Sequence, residues 1–206
     1  MNVHTQAMQL QGPAGLIEAL LDEPQGLAIG TAVIAHPHPL FGGTMNNKVV
    51  QTLARAFVQC GWRAVRFNFR GVGTSQGEHD GGRGETQDML QVVQQVAPHG
   101  ALALAGFSFG AFVTTQVVVG LAERHPDKLV LVGTAASRFE VAPVPEAVHE
   151  RTLVLHGEQD ETVPLDSVMN WARPQHLPVT VIPGVEHFFH GQLPLLKNLV
   201  VRHLHG

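Results

Sequence analysis

The sequence predicts an α/β fold, in which a mostly parallel, twisted sheet carries helices on both of its faces. Short apolar runs that are typical of buried strands alternate with longer segments of helical periodicity. Strands that alternate with helices indicate βαβ units, which build a parallel sheet. The N-terminal segment differs, because two short runs flank a Gly-Pro-Ala-Gly turn at residues 12–15. That pattern predicts an antiparallel hairpin at one edge of the sheet.

The first half of the chain predicts, in order, a hairpin, a strand, a helix, a strand and a helix. The strands are apolar runs, the first of them continuous and typical of burial on both faces of a sheet. The helices have apolar residues at the i, i+3, i+4 spacing, and Pro98 and Gly100 end the second one. These elements cover residues 8–11 with 16–22, 30–35, 48–60, 63–68 and 85–97.

The second half continues the alternation with a central strand, its helix, and three more strands with two helices. The central strand is expected to end at Phe107, and its helix to begin at Phe109. In such a sheet, functional sites lie beyond the carboxyl ends of the strands. The elements cover residues 101–107, 109–122, 128–132, 151–156, 166–172, 179–182 and 195–204.

The composition fits one domain over residues 1–206 and argues against several classes of partner. Hydrophobic residues make up 44% of the chain and charged residues 15%, enough apolar material for a sizeable core. The net charge of −4 offers no basic surface to nucleic acid or to an anionic membrane. Cys60 is the single cysteine, so no internal disulfide forms, and structural burial is its expected role.

The N-terminal segment, residues 1–15, lacks the charged and apolar regions of a signal peptide. No window of the chain approaches the ~20 apolar residues of a membrane span. No repeat, linker or low-complexity tract divides the chain. We therefore expect a cytoplasmic protein that works without a membrane.

The central strand ends in a G-x-S-x-G motif at Gly106–Gly110, which is typical of a strand-turn-helix that exposes a serine nucleophile. Glycines are expected there because the strained turn brings neighbouring backbones close. We identify Ser108 as the candidate nucleophile. The N–H of Phe109, directly after it, is one candidate donor to an oxyanion, and the loop after residues 30–35 is expected to supply the other.

Two later strand ends supply a candidate acid and a candidate base, Asp160 and His187. The chain order Ser108, Asp160, His187 is that of one triad-bearing fold and differs from the order in other serine hydrolases. A serine hydroxyl needs an imidazole to take its proton, and a carboxylate fixes the imidazole tautomer and stabilises the imidazolium. His190, three residues after His187, competes for the role of base. Three exposed-loop carboxylates compete for the role of acid: Glu158, Glu161 and Asp166.

Several other residues have a functional and a structural interpretation. His36 and His38 lack a third ligand at metal-binding spacing, so shaping a proline-stiffened loop is their better interpretation. Arg70 either binds an acidic substrate group or, as we favour, forms a structural ion pair. The glycines of residues 71–77 miss the spacing of a phosphate loop. Four phenylalanines line an acyl pocket or belong to the core: Phe41, Phe107, Phe109 and Phe188.

Taken together, five segments make the chain resemble the α/β-hydrolase superfamily over nearly its whole length. Within it the chain is most similar to the small, lidless branch near the dienelactone hydrolases. The resemblance supports Asp160 through its D-x-x-V-P context and His187 as the first histidine of H-F-F-H. Dienelactone hydrolases have a cysteine nucleophile where this chain has Ser108. The resemblance therefore does not extend to their particular substrate. The segments are residues 36–47, 66–77, 106–110, 156–164 and 186–191.

The resemblance implies that the loop after the strand at residues 30–35 supplies the second oxyanion donor. Pro37 and Pro39 lack an N–H, so the donors narrow to His38 and Leu40, of which Leu40 is preferred. Where many α/β-hydrolases insert a helical lid, this chain has only residues 134–150, too few for a substantial lid. An open site suits small or protruding acyl groups.

The sequence therefore predicts a lidless α/β-hydrolase fold and a serine hydrolase that cleaves carboxylic esters or thioesters without a metal or organic cofactor. An amidase or peptidase is the second prediction, because the same machinery serves prolyl-peptidase relatives. A non-catalytic scaffold on the hydrolase fold is the third. It is disfavoured because such proteins usually lose a triad member, whereas here Ser108, Asp160 and His187 are all present.

Overall fold

The computed structural model describes residues 5–206, so the first four residues of the segment in which no signal peptide is expected lie outside it. Eight strands and five helices alternate along the described chain. The strands are β1 (Thr5–Gly12), β2 (Gly15–Asp22), β3 (Thr31–Ala35), β4 (Arg63–Phe67), β5 (Leu102–Phe107), β6 (Lys128–Val132), β7 (Thr152–Gly157) and β8 (Val179–Ile182). The helices are α1 (Lys48–Gln59), α2 (Arg83–Val96), α3 (Phe109–Gly120), α4 (Leu165–Ala172) and α5 (Leu193–His205).

The strands form one sheet in the order β1-β2-β4-β3-β5-β6-β7-β8. β1 pairs with β2 and β2 with β4 in antiparallel fashion, and every other pairing is parallel. The predicted hairpin at a sheet edge and the mostly parallel sheet are confirmed. β5 lies at the centre between β3 and β6, with Ala35 beside Gly106 and Phe107 beside Val132.

Helices cover both faces of the sheet, as predicted. On one face α2, α3 and α4 pack against a cluster that includes Met89, Val113 and Val168. On the other face α1 and α5 pack together over a second cluster that includes Phe57 and Val200. Burial of both faces explains why the central strands are continuous apolar runs rather than alternating ones.

The predicted elements agree with the structure, and the differences lie at their ends. α2 begins at Arg83, two residues before the predicted start, because the Glu85 carboxylate accepts the N–H of Gly82 and caps the helix. α5 begins at Leu193, since Pro194 occupies the first turn, where its missing N–H costs nothing. Three short 3₁₀ turns escaped the sequence patterns: Pro39–Phe41, Glu146–Arg151 and Arg173–Gln175.

The segment between β6 and β7 contains only loop and the 3₁₀ turn at Glu146–Arg151. The predicted absence of a substantial lid is therefore confirmed. The carboxyl ends of the parallel strands meet at one edge of the sheet, and the loops after β3, β5, β7 and β8 converge there. Among residues 5–206 no helix combines the length and the apolar character that crossing a bilayer demands.

Candidate active site

Ser108 occupies the sharp turn between β5 and α3, with φ 57° and ψ −116°. This left-handed backbone is strained for a residue with a side chain, and close packing maintains it. A Cβ at Gly106 would lie 2.4 Å from the carbonyl oxygen of Gly110, and a Cβ at Gly110 would lie 2.4 Å from that of Ala35. The Ser108 N–H donates to the carbonyl of Val132 at 2.8 Å, which ties the turn to β6.

A chain of hydrogen bonds joins the three candidate residues of the triad. His187 Nε2 lies 3.0 Å from Ser108 Oγ, and His187 Nδ1 lies 2.5 Å from Asp160 Oδ2. The other carboxylate oxygen of Asp160 accepts the backbone N–H groups of Thr162 and Val163 at 3.0 and 2.7 Å. All three side chains are buried, so the imidazole is held between hydroxyl and carboxylate away from competing water.

The competing residues do not enter this chain of hydrogen bonds. Glu158, Glu161 and Asp166 are exposed, and the Glu158 carboxylate accepts the backbone N–H of Gly184 instead. The His190 side chain is 72% exposed and pairs with Glu186 at 3.1 Å. Gln192, not His190, is the N-cap residue of α5.

His156, the penultimate residue of β7, is a neighbour of Asp160 that the sequence reasoning missed. Its Nε2 donates to the carbonyl of Val163 at 2.9 Å and lies 3.6 Å from Asp160 Oδ2. Burial lowers the pKa of His156 below its ordinary value, more than the Asp160 carboxylate raises it, so the ring is neutral. His156 thereby ties together the loop that aims Asp160. The only feature of the sequence that could have indicated this role is that His156 is a polar residue after the apolar run Leu153–Leu155 of β7.

His36 shapes the loop after β3, as predicted. Its Nδ1–H donates to the carbonyl of Pro37 at 2.6 Å, and its Nε2 accepts the N–H of Phe69 at 3.0 Å. Burial lowers the pKa of His36 to about 4, which keeps the ring neutral. Within residues 5–206, no cluster of three or more histidine, cysteine or acidic side chains is arranged to bind a metal ion.

The same loop contains the 3₁₀ turn Pro39–Phe41. In this turn the N–H of Leu40, the expected oxyanion donor, already donates a hydrogen bond within the loop. The Leu40 N–H donates to Nδ1 of His38 at 3.2 Å, and the Leu40 side chain is 70% exposed. The carbonyl of His38 accepts the N–H groups of Phe41 and Gly43. No acceptor within residues 5–206 takes the N–H of His38 or that of Phe109. The Leu40 N–H is thus occupied by a side chain, whereas the His38 N–H has no acceptor in the described residues, and the preference for Leu40 as oxyanion donor stays a prediction.

A cavity of about 380 Å³ opens beside Ser108. Phe109 belongs both to the cavity wall and to the core, whereas Phe41 and Phe188 are exposed at the cavity. Phe107 is buried, and its ring centroid lies 4.9 Å from that of the His187 imidazole. Of the four phenylalanines predicted to line a pocket or to belong to the core, three line the cavity and Phe107 belongs to the core alone. The cavity is lined by Pro37, His38, Phe41, Gly42, Gly43, Asn47, Ser108, Phe109, Ala135, Arg138, Phe139, Thr162, Val163, His187 and Phe188.

Arg70 and Cys60 make contacts that stabilise the fold and do not line the cavity beside Ser108. Arg70 forms a two-pronged ion pair with Asp88, at 2.7 and 2.8 Å, and both side chains are largely buried. The favoured structural interpretation of Arg70 is confirmed. Cys60 is half-buried behind α1, with Sγ 3.7 Å from Nε2 of His205, and burial raises the pKa of its thiol.

Comparison with known proteins finds a matching family and a similar relative. Residues 40–150 match the family described as serine aminopeptidase, S33. The chain is 33% identical to an uncharacterised protein of Rickettsia prowazekii (strain Madrid E), over 86% of this chain and 79% of that protein.

Two solved structures are similar over nearly the whole length of both chains. A lidless α/β serine hydrolase of Xanthomonas campestris is 34% identical, with a TM-score of 0.88 over 100% of this chain and 95% of that one. An α/β serine hydrolase homologue of Coxiella burnetii is 40% identical, with a TM-score of 0.83 over 97% of each chain. The expected α/β-hydrolase fold without a lid is confirmed.

Proposed function

The chain belongs to the α/β-hydrolase superfamily, in the serine aminopeptidase S33 family, and from this we propose that it cleaves carboxylic esters or thioesters through an acyl-enzyme on Ser108. The observation that carries the proposal is the chain of hydrogen bonds from Ser108 through His187 to Asp160. A serine hydroxyl is a poor nucleophile at neutral pH, and this arrangement is the one that activates it. We also infer that residues 1–206 form one domain.

In the proposed reaction Ser108 Oγ attacks the carbonyl carbon of the substrate while its proton moves to Nε2 of His187. Asp160 accepts the Nδ1–H throughout and stabilises the imidazolium. His187 then gives its proton to the leaving alcohol or thiol, and Ser108 retains the acyl group. Water attacks the acyl-enzyme with His187 as base, which releases the acid and restores the hydroxyl. This sequence needs neither a metal ion nor an organic cofactor.

Two backbone N–H groups are proposed to hold the oxyanion of the tetrahedral intermediate. One is that of Phe109, at the N-terminus of α3, where the helix dipole also favours negative charge. The second is that of His38, because the neighbouring prolines lack the group and the Leu40 N–H is already donated to the His38 ring. Each such donor contributes on the order of 3–4 kcal/mol to lowering the barrier.

The substrate class follows from the open cavity. With no lid to enclose a long chain, the site suits small acyl groups or groups that protrude into solvent. Aromatic side chains dominate the cavity wall, and the exposed Phe41 and Phe188 extend apolar surface at its mouth. We expect p-nitrophenyl esters of short acids to be cleaved with a higher kcat/KM than those of long-chain acids.

The decisive test is the Ser108→Ala variant. We expect it to lose nearly all ester hydrolysis and all labelling by a fluorophosphonate probe, while circular dichroism and the melting temperature stay close to those of the wild type. Ser137→Ala is the matched control, since Ser137 is exposed in the loop after β6. Hydrolysis that persists in the folded Ser108→Ala variant would refute the assignment.

A peptidase is the second candidate, because the matching family is described as a serine aminopeptidase. The same acyl-enzyme chemistry cleaves amides when the leaving amine is protonated well enough. A panel of one acyl group as ester, thioester and anilide separates the two candidates by their kcat/KM values. A scaffold without catalytic activity would cleave none of them and would leave the phosphonate probe unreacted.

A further inference from the structure

The cavity beside Ser108 has an uneven distribution of charge. Among its lining residues Arg138 is the one with a permanent charge, and no aspartate or glutamate belongs to the wall. The remainder of the wall is chiefly aromatic or small. A cavity with one fixed cation and no anion complements a ligand with one negative charge, a match notable in a protein whose own net charge is −4.

Arg138 differs in its surroundings from the arginines that stabilise the fold. Arg63, Arg66, Arg70 and Arg83 each pair with a carboxylate. Arg138 is exposed in the loop after β6, and no carboxylate among residues 5–206 forms an ion pair with it. Its guanidinium is therefore free to bind an anion.

The charge of Arg138 acts on the cavity itself. Burial lowers the pKa of His38, electrostatic interactions with His79 and with the Arg138 guanidinium lower it further, and Glu85 opposes them. His38 carries the proposed oxyanion donor, so the Arg138 charge reaches the reacting region of the cavity. The ring of His38 also lies 5.9 Å from that of Phe139, the residue next to Arg138.

A second recess on the other side of His187 has the opposite charge. Its wall shares Thr162, His187 and Phe188 with the cavity and has five carboxylates, those of Glu158, Asp160, Glu161, Asp166 and Glu186. Since His187 protonates the leaving group, the leaving group faces the imidazole and this acidic recess. An anionic group on the substrate is repelled by this recess and attracted to the Arg138 side of the cavity, on which we place the acyl group because the leaving group must reach His187.

We propose that Arg138 is a specificity-determining residue that binds a carboxylate on the acyl group of the substrate, so that the enzyme prefers half-esters of dicarboxylic acids. The planar guanidinium binds a carboxylate through two parallel hydrogen bonds. Aromatic side chains of the same cavity wall, including Phe109 and Phe139, accommodate the apolar spacer. This inference rests on the proposed function, because it names the substrate class of the same site.

The test compares 1-naphthyl hemiadipate with 1-naphthyl hexanoate, which have the same chain length and differ in the terminal carboxylate. We expect the wild type to favour the hemiadipate, and Arg138→Gln to lower the ratio of the two kcat/KM values about tenfold, since a charge-assisted hydrogen bond is lost. Arg138→Lys should keep part of the preference, and Arg138→Glu should reverse it. Added salt should lower the wild-type ratio.

Using the ratio cancels any general loss of activity in a variant. Arg202→Gln, an exposed arginine on α5, is the matched control and should leave the ratio unchanged. Equal ratios in the wild type and in Arg138→Gln, with both esters cleaved and Ser108→Ala inactive, would overturn the inference and leave the proposed function intact. Failure to cleave either ester, together with no phosphonate labelling, would overturn both.

Discussion

The backbone N–H of Leu40 donates a hydrogen bond to Nδ1 of His38 at 3.2 Å, so the imidazole of His38 occupies the Leu40 donor. This contact also fixes the His38 tautomer, because Nδ1 must be the unprotonated nitrogen. It lies within the 3₁₀ turn Pro39–Phe41, and separately the His38 N–H has no acceptor in residues 5–206. The Leu40 N–H is therefore occupied within the turn, which is why we propose the His38 N–H as the oxyanion donor.

The role of the His38 N–H can be tested by removing it without changing the backbone. His38 has φ −53° and ψ 123°, values that proline adopts and that suit a residue before Pro39. We expect His38→Pro to lower kcat about 10²- to 10³-fold, the loss typical of one oxyanion donor. His38→Ala keeps the N–H and loses the ring, so it should retain much more activity. Equal losses in the two variants would contradict the assignment.

Asp160→Asn should lower kcat by roughly 10⁴-fold, because the amide no longer fixes the productive tautomer of His187 or stabilises its charge. The side chain keeps its size, and an amide oxygen can still accept the N–H groups of Thr162 and Val163, so the loop should stay folded. Glu161→Gln, the adjacent exposed carboxylate, is the control and should keep full activity. Steady-state kinetics on a short-chain ester measures both variants, and similar rates in the two would exclude Asp160.

Gly110→Ala should destabilise the fold by about 3 kcal/mol or more, because its Cβ would overlap the carbonyl oxygens of Ala35 and His36. These are backbone atoms of β3 and its loop and cannot move aside cheaply. Gly120→Ala lies in the same helix and meets only the Leu90 side chain at 3.2 Å. Helix propensity favours alanine there by up to about 1 kcal/mol, so little change is expected. Thermal unfolding compares the two, and equal melting temperatures would refute the close approach.

Acid should destabilise the protein partly through His36. Burial lowers its pKa from the ordinary 6.5 to about 4, so between these values the unfolded chain binds a proton that the folded chain refuses. The free energy of unfolding therefore falls as the pH is lowered through this range, by about 3 kcal/mol for this group. A second proton would also place Nε2–H against the N–H of Phe69.

Urea unfolding of the wild type and of His36→Gln at about pH 7 and about pH 4.5 measures this contribution. The wild type should lose more stability than the variant over that interval. Burial also lowers the pKa values of His156 and His203, which remain in both proteins and contribute in the same direction. Identical losses in the two proteins would show that His36 does not titrate in this way.

Arg70→Met should cost about 3–5 kcal/mol of stability, because it leaves the Asp88 carboxylate, 1% exposed, buried without its partner. Arg70→Met combined with Asp88→Leu should recover part of the loss, since no uncompensated charge remains. The ratio of hemiadipate to hexanoate hydrolysis should not change in Arg70→Met, in contrast to Arg138→Gln. A changed ratio would restore the alternative that Arg70 binds the substrate.

Patterns that are local in the chain were predicted well. Each central strand of this parallel sheet is buried on both faces and therefore reads as an apolar run. Ser108 could be located because the turn that exposes it needs glycine on both sides within five residues. Asp160 and His187 could be located because they follow strand ends, which meet at one edge of the sheet. Arg138 was missed, since nothing in its local pattern distinguishes a cavity arginine from a surface one.

The choice among neighbours needed the three-dimensional structure. Asp160 is buried against His187 while Glu158 and Glu161 point to solvent, and burial of this kind depends on the distant loop after β8. His156 and Asp160 come within 3.6 Å because the loop after β7 folds back on the end of its strand. Leu40 was preferred over His38 because no sequence pattern reports which backbone N–H a side chain already occupies.

The sequence by itself determined the order of strands and helices, the serine turn and the three residues proposed as the triad, because periodicity, glycine placement and strand ends are properties of short stretches. Only the tertiary structure decided which backbone N–H is occupied by a side chain, which carboxylate reaches the imidazole and which arginine lines the cavity. Those outcomes depend on contacts between segments far apart in the chain, whose distances follow from packing of the whole sheet.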